Sequence, residues 1–249
     1  MLQQTQVHRV LPKFEKFIES FPTPRACAEA PLGDLLALWQ GLGYPRRCRN
    51  LHDAAKVVVR EHGGKVPGEL DSLLELPGVG GYTARAVLAF ADSRDVAVVD
   101  TNIARVLSRV VNEPLGKARV QSLADGLVPQ GFAWEWNQIL MDLGATVCMA
   151  RAPKCVECPI STLCRWNAQG GDDPAPASAM TSKPQARFEG SDRQARGKLM
   201  KALVESAVKT SDAATVMGLD GQPVRAEKLV NDLITEGLVA LTNDYLMLP

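Results

Sequence analysis

The 249-residue chain has no surplus of either charge: 28 Lys and Arg balance 28 Asp and Glu, so bulk attraction to a polyanion is excluded. Histidine is scarce. His8, His52 and His62 lie far apart, and none is assigned a role. No apolar run approaches the roughly 20 residues that span a bilayer. The N-terminus shows no basic region leading into an apolar core, so no secretory signal is read and the cytoplasm is the expected compartment. Aromatic residues make up only 5% of the chain against 46% hydrophobic residues, a balance that suits a soluble helical protein.

The charge is nearly even along the chain too, with 19 basic against 17 acidic residues up to Gly171 and 9 against 11 beyond it. Any DNA binding must therefore come from local placement, for instance at Arg46, Arg47 and Arg49. Six cysteines would give three disulfides in a secreted chain. Four of them, Cys148, Cys155, Cys158 and Cys164, crowd into C-x6-C-x2-C-x5-C, which in a cytosolic chain reads as a metal or cluster site. Zinc ribbons usually carry two close pairs, and a Cys-x-x-Cys redox pair needs no flanking cysteines, so a cluster is the favoured reading. Cys27 and Cys48 stand apart and read as small buried residues.

What is present is helical periodicity, broken by glycine and proline. Val7, Val10, Leu11, Phe14, Phe17 and Ile18 form one apolar face, in a helix that Pro12 should kink or divide. Leu32, Leu35, Leu36 and Trp39 mark the next long helix. Leu51, Ala54, Ala55, Val58 and Val59 mark another. Leu70, Leu73 and Leu74 lead into Leu76-Pro-Gly-Val-Gly-Gly-Tyr-Thr-Ala84, the stretch around which the chain is organised.

Pro77 stops one helix there, and three glycines permit a tight hairpin. The bare amides at the start of the second helix would bind an anion through unpaired donors and the helix dipole. The alternative is an ordinary glycine turn. Val96–Val99 is short and apolar, with extended character. Ile103, Val106, Leu107, Val110 and Val111 then form the buried face of a helix that Asp100 is placed to cap. The same carboxylate suits a second use, stabilising positive charge on a sugar ring. Asn102 reads as a cap partner or as a residue that positions water or phosphate. Tyr82 reads as packing, or as a hydroxyl aimed at Asp100.

Residues 167–190 have no apolar period and read as a linker. Two helices and a hairpin with a turn at Thr242-Asn-Asp244 follow, resembling a winged-helix unit. The expected segments are 1–96 (helical barrel with hairpin), 97–170 (cysteine segment), 171–190 (linker) and 191–249 (winged-helix-like).

The hairpin, Asp100 and the cysteine spacing together resemble the helix-hairpin-helix DNA glycosylases related to endonuclease III. Met1-Leu-Gln-Gln-Thr-Gln-Val7 and Trp39-x-Gly-Leu-Gly-Tyr44 are similar to the A/G-specific adenine DNA glycosylases (MutY type). The resemblance covers about 1–170, and the tail looks like the short extension of actinobacterial members rather than a Nudix-like domain. It implies an all-α fold: a six-helix barrel plus an iron–sulfur cluster domain holding a [4Fe-4S] cluster on the four cysteines, with a small winged-helix-like unit.

It further implies a monomeric base-excision enzyme acting on double-stranded DNA with A:8-oxoG or A:G mispairs, bacterial and on the nucleoid when bound. Asp100 would stabilise the sugar cation, with Asn102 and Tyr82 beside it. Gln3, Gln4 and Thr5 would contact the duplex, Gln4 as a wedge, and Gly78, Val79, Gly80 and Gly81 would grip a phosphate. Tyr82 replaces the Lys of strand-cleaving relatives, so a monofunctional enzyme is expected.

The family's general acid, a Glu, falls two residues before Met1. A start annotated downstream of the true one is the favoured account, and slow adenine excision by the sequence as written is expected. A thymine or uracil mismatch glycosylase and a non-catalytic DNA-binding module are the rival readings.

Overall fold

The computed structural model describes residues 1–3, 5–178 and 187–249. In chain order the first helices are α1 (Val7–Ser20), α2 (Pro24–Glu29), α3 (Leu32–Trp39) and α4 (Arg46–Glu61). Next come α5 (Leu70–Leu74), α6 (Gly81–Phe90), α7 (Thr101–Val111), α8 (Lys117–Asp125), α9 (Ala133–Thr146) and α10 (Arg165–Gln169). The chain ends with α11 (Asp192–Glu205), β1 (Val208–Lys209), α12 (Ala213–Met217), α13 (Pro223–Thr235), β2 (Ala240–Thr242) and β3 (Tyr245–Met247). The class is all-α, as expected. None of these helices is long and apolar enough to cross a membrane.

Two compact units divide the chain. The first holds Met1–Pro67, Leu76–Gly78 and residues 187–249; the second holds Gly68–Glu75 and residues 79–178. In the first unit the two ends of the chain share one core. Val10, Phe17, Leu35, Leu36 and Trp39 pack in the same buried cluster as Leu199, Leu203, Met217, Leu233, Leu238 and Leu246. The Gly33 amide donates to Pro249 O at 2.8 Å, and a Cβ at Gly33 would stand 2.8 Å from that oxygen. Arg49 donates to the Glu236 carbonyl, and Arg196 pairs with the Glu236 carboxylate.

The tail has one strand more than the pattern shows. β1 and β2 both pair antiparallel with β3, in register Val208↔Leu246 and Leu241↔Leu246. Asn243 and Asp244, both at positive φ, make the β2–β3 turn.

Three local expectations change. Pro12 lies inside an undivided α1. As the sixth residue it lies past the first turn, so its missing N–H costs the helix the bond to His8 O without ending it. Along α1 only Val10 and Phe17 are buried, whereas Val7, Leu11, Phe14 and Ile18 stand exposed. The core contacts a single line of that face. Residues 96–99 form no strand, although Ala97, Val98 and Val99 are buried. The Asn137 side chain takes the place of a neighbouring strand: its Oδ1 accepts from Val98 N at 2.8 Å and its Nδ2 donates to Val96 O at 2.9 Å.

The second unit is built around α7, in which every residue from Ile103 to Arg109 is buried. Val106 and Leu107 pack with Leu115, Val120, Leu140 and Leu143, and Cys148 and Cys158 lie against this core. Part of the stretch read as linker belongs here. Pro174, Ala175 and Ser178 are buried, and Ser178 Oγ accepts from Leu115 N at 3.0 Å.

Candidate active site and the four-cysteine loop

Asp100 is the N-cap of α7, and its carboxylate is fixed at both oxygens. Oδ1 accepts from Ile103 N at 2.7 Å, and Oδ2 accepts from Asn102 Nδ2 at 3.0 Å. The cap reading is therefore correct, and the carboxylate is only partly buried. Asn102 is held in turn, because its Oδ1 accepts from Arg105 Nη2 at 2.8 Å.

Arg105 is buried, and it continues the relay into the cysteine loop. Its Nε donates to Cys148 O at 2.8 Å and its Nη2 to Gly144 O at 2.6 Å. Burial pulls the Arg105 pKa down, while the negative groups around it oppose that shift. Gly144 permits this approach of α9 to α7: a Cβ there would stand 2.6 Å from Asn102 Cβ.

Tyr82 follows Gly81 at the start of α6 and is partly exposed. Burial raises its phenol pKa, and the Asp100 carboxylate adds to the rise. The phenol therefore stays protonated at neutral pH, within electrostatic reach of Asp100.

The hairpin's glycines differ in use. Gly78 alone takes a left-handed backbone, φ +76°, and a Cβ there would stand 2.6 Å from Asn50 Cβ. Gly80 is extended, at φ −98°, and caps α6 with no side-chain bond, while Gly81 is helical. Of the three glycines read as permitting the hairpin, only Gly78 uses a backbone angle that side chains rarely adopt. At Gly80 and Gly81 nothing lies within 4 Å of where a Cβ would be, so what glycine provides there is an open approach to the backbone. Val79, between Gly78 and Gly80, is half-buried.

At the other end of the chain, Gln3 is exposed and Gln4 lies outside the described residues. Thr5 Oγ1 donates to Leu42 O at 3.0 Å and accepts from Arg47 Nη2 at 2.9 Å. Arg47 also donates to Met1 O, Gln3 O, Leu42 O and Gly43 O, and lies over the rings of Trp39 and Tyr44. It is thus a bracket for the N-terminal segment, and its charge is spent inside the protein. Arg49 is likewise engaged internally, with Asp53 and Glu236. Of the three arginines read as local DNA contacts, Arg46 is the exposed one.

Cys148, Cys155, Cys158 and Cys164 are free thiols lining one solvent-open pocket, together with Arg109, Lys154 and Trp166. Among the described residues no three Cys, His, Asp or Glu side chains converge on one point as ligands of a single ion. Burial raises the Cys148 thiol pKa, and Arg109 and Arg105 act in the opposite direction. Arg109 Nη1 stands 3.3 Å from Cys148 Sγ, and Cys164 Sγ stands 3.3 Å from Arg109 O. Four thiols around one pocket, with a buried guanidinium against one sulfur, suit thiolate ligation of a cluster. Cys27 and Cys48 are buried in the core of the first unit, apart from this site.

The family model described as "HhH-GPD superfamily base excision DNA repair protein" matches residues 1–127. An adenine DNA glycosylase of Mycolicibacterium smegmatis is 41% identical over 248 residues, covering 98% of this chain and 83% of that protein. One from Mycobacterium tuberculosis is 38% identical over 253 residues, covering 98% and 81%. The chain belongs to the HhH-GPD superfamily, among the adenine DNA glycosylases.

Solved structures agree on the fold of this glycosylase. A thermostable thymine-DNA glycosylase superposes with TM-score 0.62 at 32% identity, covering 67% of this chain and 80% of that one. A trapped endonuclease III–DNA covalent intermediate gives 0.60 at 26% identity, covering 66% and 79%.

Sequence reasoning missed Arg105 and Arg109 in the glycosylase. The available signal was two arginines four residues apart on a helix whose remaining face is apolar. A helix carrying cations on a buried side needs acceptors from elsewhere in the chain.

Proposed function

We propose that the chain removes adenine mispaired with 8-oxoguanine or guanine from double-stranded DNA, as a monofunctional enzyme working as a monomer in a bacterial cytoplasm. The observation that carries this reading is the Asp100 carboxylate, clamped at both oxygens and within electrostatic reach of the Tyr82 phenol. A carboxylate held in that way stabilises an oxocarbenium-like sugar as the glycosidic bond breaks. The adenine must first leave the stack.

Asn102 positions Asp100. The open amides at Gly80 and Gly81, with Gly78 and Val79, hold a backbone phosphate. Gln3, Gln4 and Thr5 contact the duplex at the lesion, in a segment set by Arg47. A phenol cannot form the Schiff base on which strand cleavage depends, so the product is an abasic site.

Cys148, Cys155, Cys158 and Cys164 would hold a [4Fe-4S] cluster, which supplies a rigid, thiolate-bound anchor for the loop. The Asp100–Asn102–Arg105–Cys148 relay ties the catalytic carboxylate to that loop. The leaving adenine also needs a proton, a contribution worth about 10²–10⁴-fold.

One further reading has an observation behind it, namely removal of thymine or uracil from mismatches, since a thymine-DNA glycosylase is 32% identical. A panel of A:8-oxoG, A:G, T:G and U:G duplexes, scored for base release with and without alkali, separates the two. Adenine release with nicks that need alkali is expected. Faster release of thymine or uracil than of adenine would overturn the proposal.

A further inference from the structure

Arg109 is almost wholly buried and stands between two partners. On one side its Nη1 meets Cys148 Sγ at 3.3 Å and Met149 O at 2.8 Å. On the other, Asp173 grips it bidentately: Nε meets Oδ1 at 3.1 Å and Nη2 meets Oδ2 at 2.6 Å. The guanidinium lies 4.9 Å from the centre of the Trp166 ring, two residues past Cys164. Asp173 is itself fixed, because Oδ1 accepts from Ala175 N at 3.0 Å. The strap that follows is seated by Ser178, which donates to Pro174 O at 2.9 Å and accepts from Leu115 N.

We propose that Asp173 is a positioning residue for the four-cysteine site: it holds the Arg109 guanidinium against Cys148 Sγ, so that the strap at 173–178 latches the loop around its cluster. A buried guanidinium without a carboxylate partner turns to other acceptors. Here those are the carbonyls of Cys148, Met149 and Ala150, and its hydrogen bond to the sulfur is lost. Groups that orient metal ligands from behind affect retention of the metal by about 10–100-fold. The proposal rests on the reading that the four cysteines hold a cluster.

The test uses the full chain purified anaerobically, with Asp173→Asn and Asp173→Glu. Iron content, the rate of iron loss to a chelator and the Fe–S(Cys) stretching bands in the resonance Raman spectrum are measured. Asp173→Asn is expected to lose iron about 10–100-fold faster and to shift an Fe–S(Cys) band. Asp173→Glu should restore both. Equal iron loss and unmoved bands in Asp173→Asn would overturn the proposal while leaving the cluster reading intact. A wild-type chain without iron would overturn both. Variant folding is checked by far-UV circular dichroism, and the Raman band reports on the sulfur independently of stability.

Discussion

Asn102 holds Asp100 from behind: its Nδ2 donates to Asp100 Oδ2 at 3.0 Å while its Oδ1 is itself pinned by Arg105. The carboxylate is therefore oriented by a side chain that has no rotameric freedom of its own. Such preorganisation lets a fixed charge act without reorganising as the transition state forms.

Replacing Asp100 with Asn tests whether the charge, rather than the cap, does the chemistry. Asn caps helices about as well as Asp, so the melting temperature should change little. Adenine release in single turnover should fall by at least about 10²-fold, the cost of removing one preorganised electrostatic group. Binding to the mispaired duplex should be retained. Release at the wild-type rate would reduce Asp100 to a helix cap.

Gly144→Ala places two effects in opposition. Alanine is a better helix former by about 1 kcal/mol. The new methyl, however, would stand 2.6 Å from Asn102 Cβ and 3.1 Å from its backbone, and overpacking of that kind costs about 1–3 kcal/mol. Backbone cannot turn aside as a flexible side chain does, so the clash wins. A lower melting temperature together with slower base release is expected. An unchanged or raised melting temperature would show that α7 and α9 yield easily.

Much of this was legible in the sequence, and the remainder was hidden for physical reasons. Asp100 before an amphipathic helix and four closely spaced cysteines are local signals, and both sit where the pattern put them. Arg105 and Arg109 were not legible, because their acceptors are remote: Gly144 O, Cys148 O and Asp173. Arg47 looked like a DNA contact, since nothing in sequence shows that five main-chain and side-chain oxygens surround it. Periodicity marked the apolar face of each helix without showing which faces meet. Hence the segment from 191 onwards read as a unit of its own, although its core is shared.

Tyr82 offers a pH signature whose sign can be worked out. Its phenol pKa is raised in the folded protein, by burial first and by Asp100 second. Above the ordinary phenol value near 10, the unfolded chain loses that proton before the folded one does. Folding stability should therefore fall as pH rises through this window. Denaturant midpoints at about pH 9 and pH 10.5 should show a larger drop for wild type than for Tyr82→Phe. Identical drops would mean that the phenol is not held protonated by its surroundings.

The shared core gives the sharpest contrast between a tethered reader and a structural tail. A domain on a flexible linker is removed with little effect on the rest. Here, deleting residues 187–249 would strip Leu199, Leu203, Leu233, Leu238 and Leu246 from a cluster that also contains Leu35, Leu36 and Trp39. Each large apolar side chain returned to water costs about 1.5–3 kcal/mol. Leaving Leu35, Leu36 and Trp39 facing water would remove much of the roughly 5–15 kcal/mol that keeps a domain folded. The bonds to Arg49 and Gly33 go as well. A chain ending before residue 187 should therefore aggregate or melt far below the full chain, while its four-cysteine loop, which lies in the other unit, should keep its own fold. A truncated chain that stays soluble and melts with the full-length protein would show that the tail is dispensable to the helices it covers.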